Sequence, residues 1–298
     1  MKKYIFASLC LLGAVSAIAG NNEERVSIKL HGDISLTKAI ITTSSANCIT
    51  GSKTASNDYG IDVAYQFCKQ DNWRLSVGTG VSVTPSRQTL TLAATELSYD
   101  APASADMDGN TYIRYVSTSE ISQKLSSLHI GVPVYIDADL RVHKVISLYG
   151  QIGFRAMFKA QSTASDITGS TRAYGVYPQY DNLVIDQPIM NAFGENTLSS
   201  EMARPIETKS FVPEMMLGLG LRVKIYKPLW FDLGVSYRYS GNFVKGERKA
   251  YPDGKVTDAL APVTYTVADG LRVNPPTHYL SANHRSTIML SAALLLKF

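Results

Sequence analysis

His284 and Ser286 lie two positions apart near the end of the chain. On a β-strand, side chains two residues apart project from the same face, so this imidazole could accept the serine proton and activate the hydroxyl as a nucleophile. A working site of this kind also needs an acidic residue to orient the imidazole, and the sequence assigns none. An exposed junction between a loop and a strand explains the pair equally simply, so the sequence does not predict an enzyme.

The segment Asp106-Met107-Asp108-Gly109-Asn110 places several oxygen-bearing side chains close together. Closely spaced carboxylates and carboxamides can bind Ca²⁺. The same residue types favour a tight turn at the tip of a hairpin, which needs no ligand. We favour the turn, and the sequence predicts neither a metal site nor a cofactor.

Six ionisable side chains fall on the polar faces of alternating segments. They are Arg74, Arg155, Glu214, Arg222, Asp232 and Arg238. In a soluble sandwich this face would contact bulk water, whereas in a small barrel it points into a lumen that side chains can fill. Unpaired charges there would be costly, so we expect a lumen polar network of ion pairs and hydrogen bonds. The alternative is that these residues line a transport path.

Eight segments alternate between apolar and polar residues, the pattern of membrane-spanning strands. They lie at about 26–40, 58–68, 73–83, 128–136, 146–158, 214–225, 229–240 and 287–298. The predicted fold is all-β, an antiparallel up-and-down transmembrane β-barrel with eight strands. Two further runs, Arg87 to Tyr99 and Thr111 to Val116, would give ten strands if they lay in the wall. We favour an extension of the wall above the membrane.

The connections between these segments alternate strictly in length. The short ones are 69–72, 138–144 and 226–228, and the long ones are 42–57, 85–127, 160–210 and 242–284. Outer-membrane barrels have short periplasmic turns and long extracellular loops, whereas a sandwich has no reason to place long loops at one end. The pattern therefore predicts a barrel with its long loops outside the cell.

The third long connection contains a group of aromatic residues: Tyr174, Tyr177, Tyr180 and Phe193. Tyrosine-rich loops suit recognition of a protein or a glycan, because the ring provides contact area at low entropic cost. They also suit a loop that folds over the barrel mouth and packs on itself. The sequence leaves both readings open, and we keep the four residues as recognition candidates.

The ends of the chain indicate its destination. Lys2 and Lys3, an apolar stretch and an Ala17-Ile18-Ala19 site predict a cleaved signal peptide at 1–20, followed by a barrel domain at 21–298. The last strand ends on Phe298, which suits an aromatic girdle at the periplasmic interface.

Removing the two lysines lowers the formal charge from +4 to +2, which does not indicate a nucleic-acid partner. Cys48 and Cys68 would lie at opposite faces of the membrane, and we expect both to be free.

The segment Ile130-Gly131-Val132-Pro133-Val134-Tyr135-Ile136 resembles the signature strand of the PorT-like outer-membrane β-barrel family, usually a Leu-Glu-Ile-Pro-Leu-Leu type run. A proline inside an apolar alternating strand is unusual, so Pro133 is the informative match. Gly131 stands where the family usually has Glu. The resemblance implies an outer-membrane barrel whose terminal aromatic, here Phe298, is recognised by the barrel-assembly machinery. One namesake member is tied to protein secretion, a role that we do not extend to this chain.

The sequence therefore predicts an outer-membrane protein, in contact with outer-membrane lipid, whose lumen is filled by side chains. Its large extracellular loops would give it a structural or surface-interaction role, with a protein or glycan as the possible ligand. A narrow channel or transporter for small solutes is the alternative, favoured if the wall has ten strands. A lipid A deacylase-like hydrolase, based on His284 and Ser286, is a remote third hypothesis.

Overall fold

The computed structural model describes residues 25–36, 40–42, 49–187, 191–204, 207–245, 261–279 and 284–298. The predicted signal peptide at 1–20 and Cys48 lie outside these residues, and Cys68 is a free thiol. Within the described part of the chain, no helix is long and apolar enough to cross a membrane.

The described residues form eighteen β-strands and four short 3-10 helices. The strands are β1 (Val26–Ser35), β2 (Ile40–Thr42), β3 (Ile49–Lys69), β4 (Trp73–Leu92), β5 (Thr95–Ala101), β6 (Tyr112–Thr118), β7 (Ile121–His143), β8 (Ile146–Thr168), β9 (Ser170–Tyr177), β10 (Leu183–Ile185), β11 (Gly194–Thr197), β12 (Glu207–Thr208), β13 (Phe211–Tyr226), β14 (Leu229–Ser240), β15 (Val244–Lys245), β16 (Val263–Thr266), β17 (Gly270–Val273) and β18 (His284–Lys297). The 3-10 helices are Ala103–Ala105, Pro178–Tyr180, Ser200–Met202 and Pro276–Tyr279.

Eight strands close into an antiparallel barrel in the order β1-β3-β4-β7-β8-β13-β14-β18. β1 pairs with β18 and closes the ring, and Val26 and Phe298 exchange backbone hydrogen bonds of 2.8 and 3.2 Å at its periplasmic end. β2 continues the first strand along β18. The predicted eight-stranded up-and-down barrel is confirmed. The ten-stranded alternative is wrong, because β5 and β6 pair in a separate sheet.

Apolar side chains face outward around the barrel, where they contact lipid rather than water. Leu219, for example, is 66% exposed and Phe154 is 62% exposed. Aromatic residues border this belt at both ends. They are Phe67, Tyr226 and Phe298 near the periplasmic turns, and Tyr59, Phe158 and Tyr239 about ten residues further along their strands. A belt of this height matches the hydrocarbon layer, so the barrel spans the outer membrane with its short turns at the periplasmic face.

Four neighbouring strands, β3, β4, β7 and β8, continue far beyond the belt, with 21, 20, 23 and 23 residues. Much of the predicted loops 42–57, 85–127 and 160–210 is therefore strand, which corrects the predicted boundaries. The physical reason is visible in β4, where the outward side chains of Arg87, Thr89 and Thr91 meet water instead of lipid. Hydrophobic alternation ends there although strand pairing continues to Leu92.

A second sheet stands beyond the extracellular end of the tall wall. Its order is β10-β9-β6-β5, and β11 also pairs with β9. One face of this sheet is buried; the core comprises Tyr99, Ala101, Ala105, Tyr112, Val116, Ala173, Tyr177, Phe193 and Ala261. We call residues 93–120 and 169–198, which contain these five strands, the extracellular lobe. All of these core residues except Ala261 belong to the lobe, so the lobe is a folded unit rather than a set of independent loops.

Residues 261–279, which we call the mouth cap, pack on the inner face of the tall wall at the extracellular end of the lumen. Val263, Val273 and Tyr279 are 0% exposed and belong to one apolar cluster with Leu92, Ile121 and Ile167 at the upper ends of β4, β7 and β8. The backbone amide of Thr277 donates to the Gln123 side chain at 3.3 Å. The sequence left open whether the third connection covers the mouth. In the structure, Leu198 and Ala203 of the third connection pack there together with the described part of the fourth.

Candidate functional site

Arg222 is the centre of the lower ion-pair cluster, near the periplasmic end of the lumen. Its Nε and Nη2 donate to the two carboxylate oxygens of Asp232, each at 2.9 Å. Its Nη1 donates to Asp139 at 2.8 Å and to Asp137 at 3.2 Å. Lys297 Nζ also donates to Asp139, at 3.0 Å. One buried guanidinium therefore joins three buried carboxylates, an arrangement for which the planar fork of arginine is well suited.

Arg155 and Arg238 form the upper ion-pair cluster. Arg155 Nη1 lies 2.6 Å from Asp58 Oδ2, and its Nη2 lies 2.5 Å from Glu214 Oε1. Arg238 Nη1 donates to Asp58 at 2.8 Å, and its Nη2 donates to Asp33. These residues come from β1, β3, β8, β13 and β14, so the ion pairs cross the lumen and link opposite sides of the wall.

His31, Asp33 and Asp58 lie close enough together to resemble a cation site, with one ligand atom from each within 4.8 Å of the others. Arg238 already binds both carboxylates, and its positive charge takes the place that a metal cation would occupy. His31 lies 3.7 Å from Asp33 and 3.7 Å from Asp62. We therefore assign these side chains to the ion-pair network and not to a metal centre.

Three small cavities remain between the lumen side chains. Their volumes are about 30 Å³ beside the lower cluster, 50 Å³ between the clusters and 20 Å³ above the upper cluster. Arg155 and Arg238 line both the middle and the upper cavity, so their ion pairs separate the two. A buried water needs about 10–15 Å³, so the smallest cavity has room for about one water and the others for a few. The two ion-pair clusters cross the lumen below the mouth cap and obstruct its described part.

All six lumen residues predicted from the sequence lie on the inward side of the wall. Arg155, Glu214 and Arg238 meet in the upper cluster, Arg222 and Asp232 meet in the lower cluster, and Arg74 lines the lower cavity. Sequence reasoning missed Asp33, Asp58, Asp137 and Asp139 as members. The signal was available for Asp137 and Asp139, since they share the inward parity of Tyr135, but the predicted strand ended at Ile136.

The outer face of the lobe presents Tyr115 and Tyr174 side by side. The two residues pair directly between β6 and β9, and their rings stack with centroids 4.8 Å apart and 4° between the planes. A groove of about 640 Å³ runs along this face. Its polar and aromatic lining includes Glu96, Ser98, Tyr115, Arg172, Tyr174 and Asp186. Tyr115 was absent from the predicted recognition set because it lies in a different connection from Tyr174.

Two of the four predicted recognition residues are core residues, which corrects that prediction. Tyr177 is 3% exposed and Phe193 is 0% exposed. They point to the inner side of the sheet, because alternate residues of a strand face opposite sides. Tyr174 lies in the exposed groove, and Tyr180 is exposed at the edge, where its hydroxyl donates to Asn110 at 3.2 Å. Tyr177 and Phe193 therefore pack in the core of the lobe, whereas Tyr174 and Tyr180 are exposed on its surface.

The Asp106 segment forms the predicted turn. The Asp106 carboxylate accepts hydrogen bonds from the Asn110 amide at 3.1 Å, the Asn191 side chain at 3.0 Å and the Tyr177 hydroxyl at 3.3 Å. Burial acts to raise the pKa of Asp106, but these hydrogen bonds, that of Asn191 first, outweigh it and lower the pKa. Burial and the nearby Asp106 charge raise the pKa of Tyr177 to about 12. The carboxylate is thus a structural acceptor that fixes the lobe.

Phe193→Ala should unfold the lobe while leaving the barrel intact. The Phe193 ring packs edge-on against Tyr112 at 5.5 Å and lies 5.2 Å from the Arg114 guanidinium. Truncating a fully buried phenylalanine costs about 3–5 kcal/mol, a large share of the stability of so small a unit. Limited proteolysis should cleave the variant within 93–120 or 169–198, and its unboiled gel migration should match that of the wild type. Leu183→Ser, at a residue 50% exposed, is the control. Equal protease resistance of the two variants would contradict this assignment.

His284 and Ser286 lie on the outward side at the start of β18. The His284 ring stacks on Tyr239, with centroids 5.8 Å apart. Its Nδ1 is buried and has no hydrogen-bond partner among the described residues. In a serine hydrolase this nitrogen is the one that an acidic residue holds. The described residues therefore do not place an acidic partner at His284, as a serine hydrolase site would require.

Lipid A from cells that express the wild type should consequently be identical to lipid A from cells that express Ser286→Ala. Mass spectrometry of the acyl chains is the measurement. Loss of one acyl chain in wild-type cells alone would show that the pair is catalytic.

No family model matches the chain, and no curated protein matches it. Among solved structures, the outer membrane protein OprG from Pseudomonas aeruginosa is 11% identical, with 92% of this chain and 96% of that chain covered and a TM-score of 0.32. The attachment invasion locus protein Ail of Yersinia pestis is 12% identical, with 92% and 100% covered and a TM-score of 0.28. The outer membrane protease OmpT from Escherichia coli is 9% identical, with 92% and 94% covered and a TM-score of 0.30. Sequence identities this low can indicate only a similar fold, and TM-scores this low are too weak to support a structural conclusion. The fold and membrane assignments therefore rest on the closed ring of strands and its apolar belt.

Proposed function

We propose that this chain is a surface-interaction protein in which a non-conducting barrel anchors the extracellular lobe in the outer membrane. The observation that supports it is the contrast between the two parts. The lumen is filled by two ion-pair clusters, with the mouth cap at its extracellular end, whereas the lobe has its own core and leaves one face of its sheet exposed. A ten-stranded wall would have favoured the channel alternative, and the barrel has eight strands.

Conductance in planar lipid bilayers tests this proposal. The full-length protein should insert without producing current steps, while a general porin in the same apparatus supplies the positive control. Reproducible steps from the folded, heat-modifiable protein would overturn the non-conducting role and favour the narrow channel.

We also propose affiliation with the PorT-like family. Pro133 supports it, because β4 and β7 pair at Thr79 with Val134 and at Ser82 with Gly131, but not at the proline. The Thr79 hydroxyl donates instead to the Pro133 carbonyl, at 2.8 Å. A Cβ on Gly131 would lie 2.7 Å from Arg155 Cδ. The Arg155 side chain therefore occupies the space that the usual family Glu would need at position 131. An experimental structure of a family member with its proline at another register would contradict the affiliation.

A further inference from the structure

The extracellular lobe is acidic although the chain as a whole is basic. Residues 93–120 and 169–198 contain eight carboxylates and two arginines, a formal charge of −6, in a chain of formal charge +4. Seven of these carboxylates are exposed: Glu96, Asp100, Asp108, Glu120, Asp181, Asp186 and Glu195. Arg114 is 1% exposed, so Arg172 is the one exposed cation of the described lobe. A surface of this kind attracts cations and repels anions over a Debye length.

The groove on the outer face combines these charges with flat apolar surface. Two residues along from the tyrosines, Ser117 of β6 lies between its strand-register partners, Glu96 of β5 and Arg172 of β9. Asp186 lines the groove next to β10. Val184, next to Asp186, is 58% exposed. The stacked rings of Tyr115 and Tyr174 form the centre of this surface. Aromatic faces bordered by carboxylates bind lysine and arginine side chains through cation–π contacts and ion pairs together.

We propose, building on the proposed surface-interaction function, that this groove docks a cationic segment of a polypeptide. Lysine or arginine side chains of the segment pair with Glu96 and Asp186, and their aliphatic stems lie on Tyr115 and Tyr174. The charge favours a polypeptide of this kind over a neutral or sulfated glycan, since a glycan offers no positive charge to the seven exposed carboxylates. The spacing of the carboxylates, and not their charge, favours a polypeptide over a metal ion. Within the described residues, the metal-like cluster of His31, Asp33 and Asp58 lies in the lumen and not in the lobe.

The test is fluorescence anisotropy with the full-length protein in nanodiscs of zwitterionic lipid. The probe is a labelled peptide of alternating lysine and threonine, compared with an alternating glutamate and threonine peptide and with a labelled neutral oligosaccharide. We expect the lysine peptide alone to bind, with an affinity that falls at least tenfold between 50 and 300 mM salt, as expected for an interaction of exposed charges.

Two pairs of variants locate the binding surface. Glu96→Gln combined with Asp186→Asn should weaken lysine-peptide binding about tenfold or more, and Tyr174→Ala should do the same while Tyr174→Phe retains binding. Asp108→Asn combined with Asp181→Asn removes the same charge outside the groove and should change the affinity by less than about twofold. Unboiled gel migration confirms that each variant is folded.

Equal weakening by the two charge pairs would overturn the groove assignment, because it would indicate general attraction by the lobe. Binding of the oligosaccharide without the peptide, or no binding at all, would overturn the cationic partner. In each of these cases, a bilayer recording without current steps would still support the proposed function of a non-conducting anchor. Current steps would instead contradict the proposed function whatever the peptide does.

Discussion

Replacing Arg222 with methionine is expected to reduce the free energy of unfolding of the barrel by about 3–5 kcal/mol, the usual effect of removing one partner from a buried ion-pair cluster. The variant removes the guanidinium that joins the buried carboxylates of Asp137, Asp139 and Asp232, while Asp139 keeps its ion pair with Lys297. Urea titration followed by tryptophan fluorescence measures the effect. Trp230 is a suitable reporter, because its ring is buried and lies 4.6 Å from Lys297 Nζ.

Arg141→Met is the matched control, because Arg141 is exposed at the periplasmic end of β7. Its free energy of unfolding should stay within about 0.5 kcal/mol of that of the wild type, as for most surface substitutions. Adding Asp232→Asn to Arg222→Met removes one of the orphaned charges and should restore part of the stability. A midpoint for Arg222→Met equal to that of Arg141→Met would show that the lower cluster does not stabilise the barrel.

Gly220→Val is expected to prevent the barrel from closing. A Cβ at this position would lie 2.6 Å from Tyr149 Cε1 and 2.7 Å from the Gly234 backbone. The Tyr149 ring could move only by leaving Arg222, whose Cζ lies 4.9 Å from the ring centre, and the backbone of β14 cannot move without breaking its pairing. Overpacking a core costs about 1–3 kcal/mol even where side chains can adjust. Here the added side chain also meets the backbone of β14, so we expect a larger cost. Unboiled gel electrophoresis should show no compact folded band.

Gly150→Val is the control for this experiment. Gly150 pairs with Leu219, one residue from the Tyr149 and Gly220 pair, but it faces lipid. The nearest atom to its added Cβ is Leu219 Cδ2 at 3.5 Å, an ordinary contact. The control should fold and shift on boiling like the wild type. A folded Gly220→Val variant would mean that Tyr149 does not fill the lumen at this level.

The barrel was predictable from the sequence because lipid imposes a single rule on every spanning strand. Outward residues must be apolar, so period-two alternation marked seven strands clearly, and the less regular first strand followed from the even strand count that a closed barrel requires. Above the membrane this rule no longer holds. The run from Arg87 to Tyr99 was still strand-like, but its alternation did not show that β4 ends at Leu92 and that a new strand begins at Thr95. Pairing between distant segments decides those boundaries, and one sequence does not reveal it.

The candidate sites were predictable to a different degree. Inward parity identified the arginines of the lumen, but the partners Asp33 and Asp58 depend on which strands face each other across the barrel. In the lobe, aromatic content indicated an important segment without showing the role of each ring. Strand parity places Tyr174 outside and Tyr177 inside, and that parity was unknown until β9 was known to be a strand.

The unequal strand lengths make the protein taller on one side. β7 has 23 residues, which at about 3.3 Å per residue and a tilt of about 40° reach a height of about 58 Å, roughly 30 Å more than the hydrocarbon layer. The opposite strands β13, β14 and β18 have 16, 12 and 14 residues and end much closer to the lipid. The tall side thus forms a one-sided stalk that holds the lobe clear of the bilayer. A folded domain can therefore approach the lobe without touching the lipid headgroups, and binding need not compete with the crowded membrane surface.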